Sequence, residues 1–385
     1  MDAGDLPICC LLVLAPAVAG RVLQSVTAQS VLGVRFIDAA ASPTADADAD
    51  RTVVLHRAMY DVSFEDDEAA CARLGLTRRL AARCALVDPL ECVLPFANRG
   101  ALCSLISRLA PTARQPRWLV VGQGEDAASA ALGAGLRLPI VCKPLLACGP
   151  PRSHELAVAM QYSALRDCAP PLLLQEYVPH GGRLFKAYYV GGHLHCEERQ
   201  SLPDLLVGAS GACGSSGADG PETPALVRFC TQAPPPTAEE FGAAAAVDTA
   251  TVPEAAAEGD GGVPRERVGG PPREDTGGGI QTRAHRAAAM QLVEELAQAL
   301  GVSLLGVDVI VPTGHDGTLG GGGDCVAGEG CGGGGGGGSC GASATRLLVV
   351  DLNYFPNTCL QLGDGGHALA RLVRRRYEQR EASGV

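Results

Sequence analysis

The stretch VVDLNYFPNTCL, Val349–Leu360, sets an aspartate and an asparagine two residues apart in an otherwise β-branched, apolar run. Side chains alternate faces along a strand, so Asp351 and Asn353 project from the same side. A second apolar run, GVDVIV, carries Asp308 in the same manner. If the two runs are neighbouring antiparallel strands of one hairpin, Asp308, Asp351 and Asn353 share a face. Hard oxygen donors so grouped suit Mg²⁺, with a nucleotide's phosphates completing the shell. A buried carboxylate without a counter-charge is costly, so two acids inside apolar strands imply a cation. Taken alone, Asp351-Leu352-Asn353 also reads as a strand end turning into a loop, where Asp, Asn and Pro are common.

Two lysines interrupt apolar strands in the same way, Lys143 in IVCKP and Lys186 in RLFKAYYV. A single strand lysine usually guards a sheet edge. Two of them, each beside large apolar residues and near a glycine-bearing loop, point to phosphate contacts. Lys143 leads into PLLACGPPRSHEL, a small-residue loop whose backbone N–H groups can approach phosphates closely, although it is not a Walker A sequence. The run LLLQEYV ends in Gln175, Glu176, Tyr177 and Val178, which resembles an adenine hinge with Glu176 on the ribose; an ordinary strand end reads the same way.

The elements that must hold these residues follow from hydrophobic periodicity. Apolar runs near residues 8–14, 34–37, 52–56 and 85–89, with helices near 22–32 and 68–83, alternate as strands and helices and argue for a parallel sheet. Four strand candidates follow, Leu138–Pro144, Pro170–Val178, Leu184–Gly192 and His193–Ser201. A helix is expected from Ser153, as N-cap, to about Leu165. Met290, Leu292, Val293, Leu296 and Leu300 form a helical stripe that Gly301 ends, and the strand SLLGVDVIV comes next. A glycine-rich tract at 314–345 then reads as the inflated tip of a hairpin, which costs little at a surface.

The net charge of −11 and the lack of a basic stripe argue against nucleic-acid binding. Eleven Asp/Glu against four Arg lie between Gly208 and Ile280, so the rest of the chain is nearly neutral and an anionic substrate remains open. That segment is rich in Ala, Gly and Pro with no sustained period, and reads as mostly disordered. The 16 cysteines are scattered, without recurring zinc spacing, as in a reduced intracellular protein. The acidic start does not read as a signal peptide, and its apolar run is too short to span a bilayer. A monomeric cytoplasmic protein, with nuclear entry open, is the expectation.

The order of these parts resembles the ATP-grasp fold. The motifs CKPLLACGPPRSHEL, LLLQEYVPHGGRLFKAYYVGG, ERQSLPD, LGVSLLGVDVIV and VVDLNYFP resemble the inositol-tetrakisphosphate 1-kinase (inositol 1,3,4-trisphosphate 5/6-kinase) family, with plant- and algal-like spacing from Lys143 to His154. The resemblance covers roughly Leu86–Leu205 and Ala284–Pro356. It implies an α/β fold with an N-terminal parallel α/β domain (1–97), a central ATP-grasp subdomain (98–207), a disordered insert (208–280) and a C-terminal ATP-grasp subdomain (281–385). It also implies a kinase that moves the γ-phosphate of ATP to a hydroxyl of an inositol tris- or tetrakisphosphate: position 1 of the 3,4,5,6-tetrakisphosphate, or 5 or 6 of the 1,3,4-trisphosphate. By that resemblance Arg99, Lys143, Gln175, Glu176, Tyr177, Val178, Lys186 and Ser201 bind ATP, and Asp308, Asp351 and Asn353 hold magnesium. Arg57, His154, Lys186, Arg199, Asn353 and Asn357 meet the inositol phosphate, while Lys186, His154, Asp351 and Asn353 carry the transfer.

Three positions depart from the family pattern. The paired lysines after the first strand are replaced by Ala17 and Val18, a lysine after histidine is Arg57, and the glycine of FPG is Asn357. Arginine keeps the charge with a different geometry, and Asn reaches a positive φ less readily than Gly. The nucleotide half is intact and the inositol half is altered. Two rival readings share the nucleotide residues: an ATP-grasp ligase joining a carboxylate to an amine, and a non-catalytic nucleotide-binding protein.

Overall fold

The computed structural model describes residues 8–26, 32–40, 49–64, 66–205, 224–242, 280–313, 346–355, 360 and 363–383. Thirteen strands among them form three sheets. Strands β1 (Ile8–Val13), β2 (Val34–Asp38), β3 (Thr52–His56) and β4 (Ala85–Leu86) are all parallel, in the order β2-β1-β3-β4. Their near-continuous apolar runs suit a sheet buried on both faces. The helix Gly365–Ser383 packs along this sheet, and the helix Glu68–Ala81 starts where the Asp67 side chain accepts a hydrogen bond from the Ala70 N–H.

The antiparallel sheets follow. Strands β5 (Trp118–Val121), β6 (Ile140–Pro144), β7 (Glu155–Ala159) and β8 (Leu172–Glu176) belong to one; β9 (Arg183–Val190) and β10 (His193–Gln200) belong to the other. Strand β11 (Leu226–Cys230) returns to the first, giving β11-β7-β6-β8-β5, and β12 (Leu304–Ile310) with β13 (Leu348–Tyr354) completes β10-β9-β12-β13. The expected hairpin is present, with Asp308 directly opposite Asp351 and a register irregularity between Asp308 and Val309. The back of this sheet is covered by the helix Ile280–Leu300, which buries Ala289, Val293, Leu296, Ala297 and Leu300. Gly301, at φ +69°, ends that helix: its N–H bonds the Gln298 carbonyl while the Val302 N–H reaches Ala297.

Two expectations are corrected. No helix runs from Ser153 to Leu165. Short 3₁₀ turns at Pro151–His154 and Tyr162–Asp167 flank β7 instead. Leu156 to Ala159 are all buried, because Val158 pairs with Val141 on one side and Val227 on the other, so the run has no polar helical face. Nor is residues 208–280 without structure throughout: 224–242 supplies β11 and a 3₁₀ turn whose Phe241 is buried. The remainder of that stretch up to 279 and the glycine-rich tract at 314–345 lie outside the described residues. No described helix is long and apolar enough to cross a membrane.

Candidate active site

The front of the β10-β9-β12-β13 sheet is a grid. Register places Glu197, Lys186, Asp308 and Asp351 in one row across the four strands, with Tyr188, Gly306 and Asn353 in the next. Lys186 Nζ lies 2.9 Å from Asp308 Oδ1 and donates to Oδ2 at 3.2 Å. Two residues further along, Leu184 faces Ile310, turning the grid apolar. Alternation thus generates a charged row beside an apolar slot on one face.

The β11-β7-β6-β8-β5 sheet provides the facing wall. A cleft of about 400 Å³ is lined by Arg99, Lys143, His154, Gln175–Val178, Lys186, Arg199, Ser201, Asp308, Asp351 and Asn353, and also by Val141, Leu156, Leu184 and Ile310. Lys143 is buried and donates to the Val350 carbonyl at 2.7 Å, joining the two sheets. Burial pushes its pKa down, against the opposing pull of Asp351. Arg99, also buried, donates to the carbonyls of Pro144 at 2.7 Å, Leu146 at 2.8 Å and Ser153 at 3.1 Å, so it fixes the loop after Lys143 at both ends. Its Nε stands 4.0 Å from Asp351 Oδ1.

The hinge differs in one respect from expectation. The Glu176 carboxylate is bound by the Arg137 N–H at 2.9 Å, the Arg137 guanidinium at 3.1 Å and Arg117 at 3.3 Å. The Glu176 carboxylate is thus already held by two arginines, while Gln175, Tyr177 and Val178 line the cleft beside it. Sequence reading missed His180. Its Nδ1 faces the Val178 carbonyl at 2.7 Å and so carries the proton, leaving Nε2 to accept from the Ser201 hydroxyl at 2.8 Å. Burial lowers the His180 pKa, consistent with this neutral tautomer. Asp204 braces the same turn by accepting from the His180 and Gly181 N–H groups at 2.7 and 2.8 Å. The HGG turn beside the hinge was the signal available for finding it.

On the other flank, His154 Nδ1 lies 3.1 Å from Thr231 Oγ1, and the Thr231 N–H donates to the His154 carbonyl at 3.0 Å. Burial and the Arg99 charge lower the His154 pKa. Arg199 donates to Glu197 at 2.9 Å and to the Tyr188 hydroxyl at 3.3 Å. Arg57 does not line the cleft; its guanidinium lies 5.0 Å over the Tyr60 ring. Asn357 lies outside the described residues.

Four cations, Arg99, Lys143, Lys186 and Arg199, line a cleft whose acids are Asp308, Asp351 and the arginine-bound Glu176. The pocket is therefore suited to polyanions although the chain is acidic. Among the described residues no three His, Cys, Asp or Glu side chains converge as a complete metal cage. Asp308 Oδ1 is buried and accepts no hydrogen bond despite its ion pair with Lys186. An orphaned carboxylate oxygen, a second carboxylate opposite and the Asn353 amide fit Mg²⁺, which takes few protein ligands and fills its shell with phosphate and water.

Comparison with known proteins agrees with this arrangement. Residues 110–215 match the Inositol 1,3,4-trisphosphate 5/6-kinase ATP-grasp domain. Inositol-tetrakisphosphate 1-kinase 1 of Zea mays is 39% identical over 126 residues, 31% of this chain and 37% of that protein. Inositol-tetrakisphosphate 1-kinase 3 of Glycine max is 53% identical over 72 residues, 19% of this chain and 20% of that protein. The chain thus aligns with little more than a third of the curated relatives' length. The crystal structure of D-cycloserine synthetase DcsG superposes with a TM-score of 0.50 at 15% identity, covering 96% of this chain and 99% of that one, a likeness of fold alone. The chain has the ATP-grasp fold, and its residues 110–215 are similar to the ATP-grasp domain of the inositol 1,3,4-trisphosphate 5/6-kinases.

Proposed function

We propose that the protein is an ATP- and Mg²⁺-dependent kinase that transfers the γ-phosphoryl group of ATP to a hydroxyl of an inositol polyphosphate. The observation that carries this reading is the register grid of β9, β12 and β13, which sets Lys186, Asp308, Asp351 and Asn353 side by side beneath Lys143 and beside an apolar slot. The slot between Val141 and Leu156 on one sheet and Leu184 and Ile310 on the other accepts a flat base, with the hinge at its edge. Lys143 and Lys186 face the phosphates. Asp308, Asp351 and Asn353 would hold magnesium, which would supply positive charge to offset the negative charge developing in transfer. His154 and Arg199 meet the acceptor's phosphates, with Arg57 and Asn357 assigned to the same substrate by the family pattern. Such transfer depends on positioning and electrostatics more than on a strong base. The enzyme acts as a cytoplasmic monomer on small anions, without nucleic acid or membrane, and the three sheets correspond to an N-terminal domain and two ATP-grasp subdomains.

The test is ADP release from ATP and Mg²⁺ with inositol tris- and tetrakisphosphates, each product resolved by anion exchange. Substrate-dependent ADP with an equal amount of a more highly phosphorylated inositol is expected. ATP consumption only with a carboxylate and an amine would overturn the kinase in favour of a ligase. ATP binding without turnover on any isomer would leave a binding protein.

A further inference from the structure

The turn between β8 and β9 reads VPHGGR, and its two glycines, Gly181 and Gly182, both stand at φ +65°, where other residues rarely go. The chain therefore reverses tightly and leaves His180 at the corner where the hinge ends and β9 begins. Register then fixes Ser201. Glu197 faces Lys186, Arg199 faces Leu184, and one step further the Ser201 N–H bonds the Gly182 carbonyl at 2.8 Å. Ser201 thus lies past the apolar slot from the charged row, at the hinge end of the cleft, where His180 also lines the wall.

His180 is buried, and both of its ring nitrogens have partners of fixed sense. A carbonyl only accepts, so Nδ1 donates to Val178 at 2.7 Å. Nε2 then has only a lone pair, and the Ser201 hydroxyl 2.8 Å away donates to it. The turn that carries the ring is held from three directions. Asp204 accepts from the His180 and Gly181 N–H groups at 2.7 and 2.8 Å and from the Thr313 hydroxyl at 3.1 Å. The Thr313 N–H bonds the Pro179 carbonyl at 3.0 Å, and the Tyr177 hydroxyl donates to the Pro203 carbonyl at 2.6 Å. The consequence falls on Ser201. A free serine hydroxyl rotates to suit either a donor or an acceptor. Here the hydrogen is committed to the imidazole, and what Oγ presents to the cleft is its lone pairs.

We infer that His180 is a positioning residue that holds Ser201 as a hydrogen-bond acceptor, so that the nucleoside end of the cleft selects a ligand carrying a donor there: a ribose hydroxyl or the exocyclic amine of the base. The inference rests on the nucleotide part of the kinase reading and is independent of the phosphoryl acceptor. A site that pairs a buried polar group with its ligand rejects the analogue lacking that partner, because the group is left unsatisfied. A wall that only fills space shows no such preference.

The experiment is calorimetric titration of four nucleotides with Mg²⁺ into the full chain: ADP, 2′-deoxy-ADP, 3′-deoxy-ADP and the purine riboside diphosphate, which lacks the amine. Wild type is compared with Ser201→Ala, His180→Ala and His180→Asn. Asparagine keeps a donor for the Val178 carbonyl and removes the acceptor for Ser201, so it separates the fold of the turn from the placement of the hydroxyl. Wild type should bind ADP about tenfold more tightly than one of the three analogues, which names the donor. Ser201→Ala and both His180 variants should cut that preference to about twofold or less by weakening ADP, the discriminated analogue staying within about threefold of its wild-type affinity. No preference in the wild type, or a preference that survives in Ser201→Ala or His180→Asn, overturns the inference. So does uniform weakening of all four nucleotides in His180→Asn, which assigns His180 to the fold of the turn alone. A wild type that binds no ADP removes the nucleotide site and the inference together. One that shows the Ser201-dependent preference yet phosphorylates no inositol polyphosphate upholds the inference while the kinase reading fails.

Discussion

Each side chain in the charged row has more than one demand on it. Asp308 is paired with Lys186 at 2.9 Å, and Asp351 faces Arg99 at 4.0 Å while both Asp351 and Arg99 act on the buried Lys143. The two carboxylates therefore balance three cations that would otherwise repel one another in a low-dielectric cleft. A metal ion shared by the same oxygens would leave Lys143, Lys186 and Arg99 free to meet phosphate instead. This double use makes the effect of removing Asp351 directional. In Asp351→Ala the cleft loses a metal ligand and becomes more positive. Mg²⁺-dependent turnover should fall by about 10³-fold or more, the scale seen when preorganised electrostatic groups are deleted. ATP affinity measured in a chelator should hold or rise, because the charge removed faces the phosphates. A turnover rate near that of the wild type would remove Asp351 from the metal site, and a large loss of metal-free ATP affinity would mean that the substitution had collapsed the cleft.

At the scale of elements, the clearest lesson concerns β11 and β7. The hairpin of β12 and β13 was legible because an acid inside an apolar run is rare and has few explanations. The Gly301 helix stop was legible because its chemistry is local. In contrast, ELAVA offers five residues that periodicity cannot assign, and only its place between β6 and β11 makes it a strand. Strand β11 was hidden because its surroundings are Ala, Gly and Pro, while its partner β7 lies about seventy residues earlier in the chain. The same limit explains Glu176: its arginine partners stand 39 and 59 residues away, so a strand end gave no sign that its carboxylate was taken. The misread strand matters to the site, since Thr231 immediately after it orients the His154 ring at 3.1 Å. Thr231→Val keeps the shape and the backbone bond to His154 but removes the hydroxyl. We expect kcat/KM for the inositol phosphate to fall by about three- to tenfold, roughly 1 kcal/mol, with KM for ATP unchanged. Thermal stability should shift little, since the valine methyl fills the same space. If the kinetics are indifferent to the change, β11 is a wall of the cleft and nothing more.

The N-terminal sheet and the β10-β9-β12-β13 sheet meet at one fully buried acid, Asp88, just past β4. Its Oδ1 accepts from the Ser303 N–H at 2.8 Å, where β12 begins, and from Arg376 of the C-terminal helix at 3.3 Å. Arg376 also donates to the Val87 carbonyl at 2.7 Å and to the Ser303 hydroxyl at 2.8 Å. His56 accepts the Ala58 N–H on Nδ1, so its Nε2 carries the proton that it donates to the Asp88 carbonyl at 2.9 Å. Tyr354, which ends β13 one residue beyond Asn353, is buried against the same carboxylate, and burial first and Asp88 second push its hydroxyl pKa well up. One side chain thus ties the N-terminal sheet and the last helix to both strands that carry the candidate metal ligands. Removing one partner of a buried, hydrogen-bonded ion pair leaves the others unsatisfied, which typically costs about 3–5 kcal/mol. Asp88→Ala should destabilise the protein by that amount in urea unfolding. Its transition should broaden or split as the N-terminal sheet separates from the ATP-grasp sheets. Asp88→Asn preserves the acceptor for Ser303 and loses the charge toward Arg376, so a smaller loss of about 1–2 kcal/mol is expected, with a single transition retained. Because Ser303 and Tyr354 anchor β12 and β13, the alanine variant should also weaken Mg²⁺-dependent ATP binding, though Asp88 lies outside the cleft. A variant that lost stability yet bound ATP and metal as wild type would show that the hairpin keeps its register without the N-terminal sheet, confining the role of Asp88 to cohesion between the sheets.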